Sequence, residues 1–379
     1  MNAAPRNAWP QGAVLIMAGG TGGHVFPALA VADELRRAGQ PVLWLGTHEG
    51  LEARVVPEAG LPIAWLRVRG LRGKGLLQRL AAPFMLLIAL VQAAGVLLRA
   101  RPRAVLGMGG FVTGPGGLMA WLLRRPLVIH EQNAVAGLTN RLLAPLATRV
   151  LEAFPGSLPA RTRPVHTGNP VRAAITEVAA PPQRLAGRAG PLRLLVLGGS
   201  LGAQALNETV PQALARLPVE ARPEVRHQAG VRHVEAARAA YAQARVAARV
   251  EAFVDDMAAA YAWADLVVCR AGALTIAELT AVGVAAILVP YPHAVDDHQT
   301  GNARYLVSAG AARLIPQTEL TPSGLAAVLG ELGADRGRLL AMAEAARALA
   351  RPDAARAVAQ QCLALAGAGS GPGPHGEAA

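Results

Sequence analysis

The chain has 379 residues, a length typical of two or three domains. Hydrophobic residues make up 53% of the chain and charged residues only 16%, which excludes a protein that is disordered overall. The formal net charge is +12 with a single lysine, Lys74, and two cysteines are too few for a disulfide framework or a cysteine-based zinc site.

Short apolar runs alternate with helical segments through the first half of the chain. A strand over Ala13–Met17 leads into the glycine turn Gly19–His24, and a helix is predicted over Pro27–Arg37 with Pro27 at its first position. Continuously apolar strands that alternate with helices indicate a parallel sheet covered on both faces. The further strands predicted in this half are Val42–Leu45, Ala104–Leu106 and Leu127–His130.

One apolar segment, Leu80–Leu98, is 19 residues long and has Gln92 as its only polar member. Its length leaves three interpretations open: a helix buried in the core, a helix that spans a membrane, or a helix on the membrane surface. Basic residues on both flanks favour the surface over an oriented span. These residues are Arg67, Arg69, Arg72, Lys74, Arg79, Arg99, Arg101 and Arg103.

The second half of the chain repeats the pattern after a stretch rich in Pro and Arg, 155–182, which is predicted to be a linker. A strand over Leu192–Leu197 leads into the turn Gly198–Gly202, and a helix is predicted from Ala203. Strands over Leu266–Cys269 and Ala285–Val289 follow. The sequence therefore predicts an α/β protein with two doubly wound, Rossmann-like parallel-sheet domains that face a cleft.

Neither glycine turn matches the dinucleotide-binding motif G-x-G-x-x-G. The third glycine of G-x-G-x-x-G falls on Val25 in the first turn and on Ala203 in the second. Lys74 is not part of a P-loop, because Val68 stands where that motif has its first glycine. The turns still allow backbone amides to approach an anion at a helix N-terminus.

Three further features carry candidate chemistry. The turn Ala271–Glu278 can bind a phosphate, and Glu278 can accept both hydroxyls of a ribose or be an ordinary acid near a helix N-terminus. Asp296–Gln299 lacks the spacing of a metal-binding D-x-D, so capping by Asp296 or Asp297 is predicted, with no metal site and no cofactor. His24 is a candidate general base or a candidate hydrogen-bond donor to a phosphate.

The basic excess predicts an anionic membrane surface or phosphorylated substrates as partners. Nucleic acid is not predicted, because the arginines are scattered along helices and no nucleic-acid-binding motif occurs. Residues 1–11 lack the charged and apolar regions of a signal peptide, so a cytoplasmic location is expected.

In chain order, the sequence contains Gly19–His24, Gly107–Phe111, His130–Asn133, Gly168–Arg172 and the two later turns, Gly198–Gly202 and Ala271–Glu278. These motifs occur in the order, and at about the spacing, of the MurG family of peptidoglycan glycosyltransferases. From about Ala13 to Leu365 the sequence resembles this family, which implies a GT-B fold with the donor held mainly by the second domain. The implied domains are an acceptor domain over 8–168 with a returning helix over 352–366, a donor domain over 169–351, and a disordered tail over 367–379.

The resemblance also implies site residues, with His24 as the leading candidate for the general base. Leu201 departs from the glutamine often found in the family, and the 80–98 segment is more apolar than in its relatives. The positions implied to bind UDP-N-acetylglucosamine are Thr21, Gly22, Gly23, Asn133, Arg172, Ser200, Val254, Ala273, Leu274, Thr275, Ile276, Ala277, Glu278 and Gln299.

The implied reaction is a metal-independent, inverting transfer of N-acetylglucosamine to the 4-hydroxyl of the muramyl sugar of lipid I, giving lipid II and UDP. The implied partners are UDP-N-acetylglucosamine, lipid I, other cell-wall synthesis proteins and the anionic cytoplasmic face of the inner membrane, where the protein would be peripheral. Three alternatives remain: another GT-B glycosyltransferase with a lipid acceptor, a non-hydrolysing UDP-N-acetylglucosamine epimerase, and a nonenzymatic membrane-associated binding protein.

Overall fold

The computed structural model describes residues 9–67, 76–199 and 202–368. Its contacts divide the chain into two compact units, each formed by more than one chain segment. Unit 1 comprises Met1–Gln132, Ala136–Pro170 and Asp353–Ala379, and unit 2 comprises Asn133–Val135 and Val171–Pro352. The domain limits expected from the sequence lie at 168 and 352, and Asn133 was expected in the first domain.

Unit 1 is built on a parallel sheet of seven strands in the order β3-β2-β1-β4-β5-β6-β7, counted over the described residues. The strands are β1 (Val14–Met17), β2 (Val42–Thr47), β3 (Ile63–Leu66), β4 (Ala104–Gly107), β5 (Leu127–Glu131), β6 (Arg149–Glu152) and β7 (Val165–His166). The helices are α1 (Gly22–Arg37), α2 (Glu52–Glu58), α3 (Leu76–Ala100), α4 (Thr113–Leu122) and α5 (Leu138–Leu143).

Unit 2 is built on a second parallel sheet, with the order β10-β9-β8-β11-β12-β13. Its strands are β8 (Arg193–Leu197), β9 (Glu224–Gln228), β10 (Arg249–Glu251), β11 (Leu266–Cys269), β12 (Ala285–Leu288) and β13 (Ala312–Leu314). Its helices are α6 (Ala173–Thr176), α7 (Pro181–Leu185), α8 (Gln204–Ala215), α9 (Val234–Gln243), α10 (Met257–Trp263), α11 (Ala273–Val282), α12 (His298–Ser308), α13 (Pro322–Gly333) and α14 (Arg336–Ala348).

The final helix, α15 (Ala354–Ala368), belongs to unit 1 and packs against α1. Its Val358 and Cys362 join Val14 and Ile16 of β1 in one apolar cluster. On the opposite face of the sheet, the alternate residues of β1 pack in a second cluster with α3. Both faces of the sheet are therefore covered, which confirms the doubly wound architecture predicted from the apolar strands.

Two predictions about local structure were wrong. Helix α1 begins at Gly22, so Pro27 lies inside it and not at its first position. The Thr21 carbonyl accepts the N–H groups of His24 and Val25, both at 3.1 Å, so a helical turn forms before the proline is reached. The segment 155–182 is not only a linker, because β7 pairs in it with β6 as the last strand of the sheet.

Helix α3 buries one face only. Ala93 and Leu97 are buried against the sheet, whereas Phe84 is 71% exposed and Val91 65% exposed on the other face. The segment Pro83–Ala100 has a mean hydropathy of 1.9 and is long and apolar enough, by length and composition alone, to cross a membrane, with 28% of it buried. The basic residues at positions 69, 72 and 74 lie outside the described residues.

The strand order reverses once in each sheet, between β1 and β4 and between β8 and β11. In open α/β sheets, ligands bind beyond the carboxyl ends of the strands at such reversals. The segments that follow these four strands are the three predicted turns and the glycine-rich Gly107–Gly110. The topology therefore places the sequence motifs where each unit is expected to bind a ligand.

Candidate functional site

The turn between β11 and α11 is held by two side chains of α12. The Gln299 carbonyl oxygen, Oε1, accepts the N–H groups of Ala271 at 3.3 Å and of Tyr291 at 2.9 Å. The Asn302 amide donates to the Ala271 carbonyl at 3.1 Å. The structure thus brings the predicted residues Ala273–Ala277, which form the start of α11, next to Gln299.

Glu278 lies at the centre of a small polar cluster in unit 2. Its side chain is 8% exposed, its Oε2 accepts the Tyr261 hydroxyl at 3.1 Å, and its Oε1 is 3.6 Å from Nη2 of Arg172. Burial raises the pKa of Glu278 to about 6, although Arg172 and the Tyr261 hydroxyl act to lower it. Two predicted donor-binding residues, Arg172 and Glu278, are therefore an ion pair with a half-exposed cation.

Asn133 also lies beside the α11 turn. Asn302, which is fully buried, donates to the Asn133 side-chain oxygen at 3.2 Å and accepts the Ala134 N–H at 2.8 Å. One asparagine thereby connects the 133–135 segment to the Ala271 carbonyl. Sequence reasoning missed Asn302, because an asparagine inside a helical segment gives no signal of such a role.

The other two predicted residues of unit 2 are Val254 and Ser200. Val254 is buried between β10 and α10, the helix that carries Tyr261. Ser200 lies outside the described residues. Its neighbour Gly199 donates its N–H to the Gln228 side-chain oxygen at 3.0 Å, and its carbonyl accepts the Gln228 amide at 2.9 Å. Gln228, which the sequence analysis did not select, therefore holds the β8–α8 turn.

An aspartate does occupy the N-cap position of α12, as predicted, but it does not cap the helix through its side chain. Asp297 is the N-cap of α12, but its φ is +50° and its side chain accepts no backbone N–H there. The carboxylate accepts the Thr300 hydroxyl at 2.7 Å instead. Among the residues that the structure describes, no group of three or more His, Cys, Asp or Glu side chains is placed to hold a metal ion.

In unit 1, the glycine turn after β1 is tied to the end of β2 by a buried acid. The Gly20 N–H donates to Oε2 of Glu52 at 2.9 Å, and the other carboxylate oxygen accepts the Thr47 N–H at 3.0 Å and the Thr47 hydroxyl at 2.7 Å. Glu52 is fully buried. The sequence gives no signal of this role, because an acid at the start of a short helix is usually exposed.

The second glycine-rich segment of unit 1 packs closely against the first. Gly109 and Gly110 have φ of +95° and +84°, which favours glycine. A Cβ at Gly110 would collide with the Gly19 carbonyl, and a Cβ at Gly109 would lie 2.7 Å from Nδ1 of His24. The glycines therefore let the two segments meet beside His24.

The four predicted residues Thr21–His24 form the first turn of α1. Thr21 is the N-cap in extended conformation, and His24 is half-buried with its Nδ1 3.1 Å from the side-chain oxygen of Gln132. The first N–H groups of a helix have no partner within it, so this turn offers donors to a polar substrate group beside an imidazole.

Comparison with known proteins agrees with this architecture. Residues 14–152 match the glycosyltransferase family 28 N-terminal domain, and residues 193–358 match the glycosyltransferase family 28 C-terminal domain. The crystal structure of Acinetobacter baumannii MurG superposes with a TM-score of 0.82 at 44% identity, covering 94% of this chain and 100% of that chain.

Two curated relatives match almost their whole length. The UDP-N-acetylglucosamine–N-acetylmuramyl-(pentapeptide) pyrophosphoryl-undecaprenol N-acetylglucosamine transferase of Alkalilimnicola ehrlichii is 67% identical, over 92% of this chain and 98% of the relative. The transferase of the same name from Nitrosococcus oceani is 62% identical, over 93% of this chain and 98% of the relative. The chain therefore belongs to glycosyltransferase family 28, among its MurG members, and has their two-domain GT-B fold.

Proposed function

We propose that this protein transfers N-acetylglucosamine from UDP-N-acetylglucosamine to the 4-hydroxyl of the muramyl sugar of lipid I, giving lipid II and UDP with inversion at the anomeric carbon. The observation that carries the proposal is the 67% identity, over 92% of the chain, to a transferase named for this donor and this acceptor. The family 28 matches, over residues 14–152 and 193–358, include the glycine turns and the α11 turn that carry most of the candidate site residues.

Unit 2 is the proposed donor-binding unit. Glu278 accepts the two ribose hydroxyls, and Arg172 faces the pyrophosphate while it remains close to Glu278. The N-termini of α11 and of α8, the helix that follows the turn with Ser200, provide backbone N–H groups for the phosphates. Val254, Gln299 and Asn133 are the other proposed donor-binding residues of unit 2, with Gln299 near the sugar. Thr21, Gly22 and Gly23 of unit 1 are also proposed to bind UDP-N-acetylglucosamine.

The proposed reaction is a single displacement. The muramyl 4-hydroxyl oxygen forms a bond to the anomeric carbon of N-acetylglucosamine as the bond from that carbon to the UDP oxygen breaks. The hydroxyl proton passes to Nε2 of His24, and the electron pair of the broken bond leaves with UDP. Helix N-termini and Arg172 stabilise the growing negative charge on the pyrophosphate, which is electrostatic catalysis by preorganised groups.

The Glu278→Gln variant is expected to weaken donor binding by about 10- to 100-fold. A hydrogen bond to a charged group contributes roughly 1.5–3 kcal/mol, and the neutral amide loses the carboxylate acceptor for the ribose. Because burial raises the pKa of Glu278 to about 6, the wild-type Kd should also increase as the pH falls below that value, whereas the variant should lack this pH dependence. Titration calorimetry with UDP at several pH values measures both effects.

The matched control is Glu331→Gln, which makes the same change in the same unit at an exposed carboxylate paired with Arg313 and Arg338. This control should bind UDP as the wild type does. An unchanged Kd in a folded Glu278→Gln variant would remove Glu278 from the donor site.

Chelation is expected to leave activity largely intact. The proposed mechanism balances the phosphate charge with helix N-termini and Arg172, so it requires no divalent cation for the leaving group. Transfer rates measured with and without EDTA test this expectation. Loss of activity in EDTA that one divalent ion restores would contradict the metal-independent mechanism.

The proposed location is the cytoplasmic face of the inner membrane, where the protein is peripheral. Lipid I is anchored in the bilayer by its lipid chain, so the unit that binds it has to meet the membrane surface. The exposed apolar face of α3, followed by Arg99, Arg101 and Arg103, has the two features that hold a surface helix on anionic lipid: apolar area and positive charge. Other cell-wall synthesis proteins are proposed partners at this location.

The decisive experiment combines the purified protein with radiolabelled UDP-N-acetylglucosamine and a lipid I analogue. The expected result is label in a lipid-linked disaccharide, with one UDP released for each sugar transferred. Label retained in a nucleotide sugar of changed configuration, without acceptor, would instead indicate an epimerase. Transfer to other lipid acceptors in preference to the lipid I analogue would indicate a different glycosyltransferase, and absence of any reaction would indicate a binding protein.

A further inference from the structure

His24, Gln132 and His130 form a continuous chain of hydrogen bonds in unit 1, which we name the His24 relay. Nδ1 of His24 is 3.1 Å from Oε1 of Gln132, and Nε2 of Gln132 is 3.1 Å from Nδ1 of His130. Nε2 of His130 is in turn 3.0 Å from the Gly168 carbonyl. Gln132 and His130 are both buried, so the relay leads from a half-buried imidazole into the interior of the unit.

The direction of each hydrogen bond in the relay can be assigned by starting from the end at Gly168. A backbone carbonyl can only accept, so Nε2 of His130 donates to Gly168. The Gln132 amide nitrogen also lies 3.2 Å from the His130 carbonyl, which requires the NH₂ group on that side and the oxygen on the side of His24. Because an amide oxygen can only accept, Nδ1 of His24 has to carry the proton.

The protonation state of His130 is consistent with this direction. Complete burial lowers the pKa of His130 to about 4, although its hydrogen bond to Gly168 opposes the effect. Near neutral pH the ring is therefore neutral, with one donor nitrogen and one acceptor nitrogen. Nε2 is the donor, so Nδ1 accepts from the Gln132 amide. Each of the three hydrogen bonds in the relay then joins one donor to one acceptor.

We infer that Gln132 and His130 are positioning residues that hold His24 as its Nδ1–H tautomer, so that Nε2 is the nitrogen available to take the acceptor proton. The inference rests on the proposed role of His24 as general base. Nδ1 carries a proton in both the neutral and the protonated ring. Nε2 can therefore gain a proton without any rearrangement of the relay, which is the condition for efficient proton transfer.

The test uses the full-length protein with ¹⁵N-labelled histidine. In the wild type, the NMR spectrum should show Nδ1 of His24 as the protonated nitrogen of the neutral ring and Nε2 as the unprotonated one. Gln132→Met keeps the side-chain length but removes both hydrogen-bonding groups. We expect mixed tautomers and a decrease in kcat of about tenfold or more, up to about 10⁴-fold, the loss measured where a catalytic histidine is held in the wrong tautomer.

Two further variants separate positioning from a purely structural role. Gln132→Glu restores an acceptor for Nδ1 of His24 but has no amide N–H for Nδ1 of His130, so the Nδ1–H tautomer and part of the lost kcat should return. Thr148→Val removes a hydrogen bond to Leu127 at the start of β5, on which His130 lies, without altering the relay. This control should keep both the wild-type tautomer and the wild-type kcat.

The proposal is wrong if wild-type His24 carries its proton on Nε2, or if Gln132→Met leaves the tautomer or kcat unchanged. It is also wrong if Thr148→Val lowers kcat as much as Gln132→Met does. The wild-type transfer assay distinguishes these outcomes from a failure of the proposed function, because the tautomer is measured on the protein alone. UDP binding, assigned to unit 2, should be unchanged in every variant of the relay.

Discussion

Replacement of His24 by alanine is expected to lower kcat by about 10²- to 10⁴-fold, which is the range that a positioned general base contributes. The variant should bind UDP with wild-type affinity, because the proposed ribose acceptor and pyrophosphate contacts lie in unit 2. The loss should therefore appear in the chemical step and not in donor binding. Single-turnover transfer to a lipid I analogue, together with the Kd for UDP, separates the two contributions.

His24→Asn provides a sharper version of this experiment. Its amide can replace Nδ1 as the donor to Gln132, but it has no nitrogen able to take the acceptor proton, so it should be as slow as the alanine variant. His166→Ala is the matched control, since His166 is another partly buried histidine of unit 1, bonded through Nε2 to the Ala153 carbonyl. Wild-type kcat in His24→Asn would exclude His24 as the base.

The parts of the fold that depend on local pattern were predictable from the sequence. The strand predicted over Leu266–Cys269 is β11 without any change, because four consecutive buried apolar residues between helices are typical of a parallel sheet. The alternation of such strands with glycine turns and helices then predicted the two doubly wound, Rossmann-like sheets. The apolar pattern could not locate β7, because a strand of two residues is too short to show any periodicity.

The contacts that shape the candidate site depend on long-range pairing, and the sequence gives no local signal of them. Gly20 meets the Glu52 carboxylate 32 residues later, and Asn302 meets Asn133 at a separation of 169 residues. Each of these side chains is an ordinary polar residue in its own segment. Their burial and their partners exist only after the strands have paired, so only the motif residues themselves could be selected in advance.

The start of α1 shows how a local rule can be outweighed by the surrounding structure. Proline favours the first position of a helix, which predicted a start at Pro27. The Thr21–His24 turn instead begins the helix five residues earlier, although a proline inside a helix removes one backbone hydrogen bond and crowds the carbonyl four residues before it. This earlier start brings His24 onto the helix and next to Gln132, so the position of the candidate base depends on it.

Substitution of two exposed residues of α3 is expected to abolish membrane binding. Leu87 is 59% exposed and Val91 is 65% exposed on the face opposite Ala93 and Leu97. Burial of each such side chain in the membrane interface contributes roughly 1.5–3 kcal/mol, so Leu87→Glu with Val91→Glu should lower vesicle partitioning by at least about 100-fold. Because both side chains are already in solvent, the variant should fold and bind UDP as the wild type does.

Flotation with liposomes of anionic or neutral lipid, at low and at high salt, tests how α3 binds the membrane. A surface helix with flanking arginines should require anionic lipid and be released as salt screens the charges, since each basic residue near the surface contributes about 1 kcal/mol. The matched control places the same two charges on exposed valines of unit 2, Val219→Glu with Val231→Glu, and should float as the wild type does. Salt-resistant binding to both lipid types would indicate a membrane-spanning helix, and failure of the wild type to float would indicate that α3 only packs on its own sheet. Either result would overturn the proposed docking of unit 1 on the membrane surface.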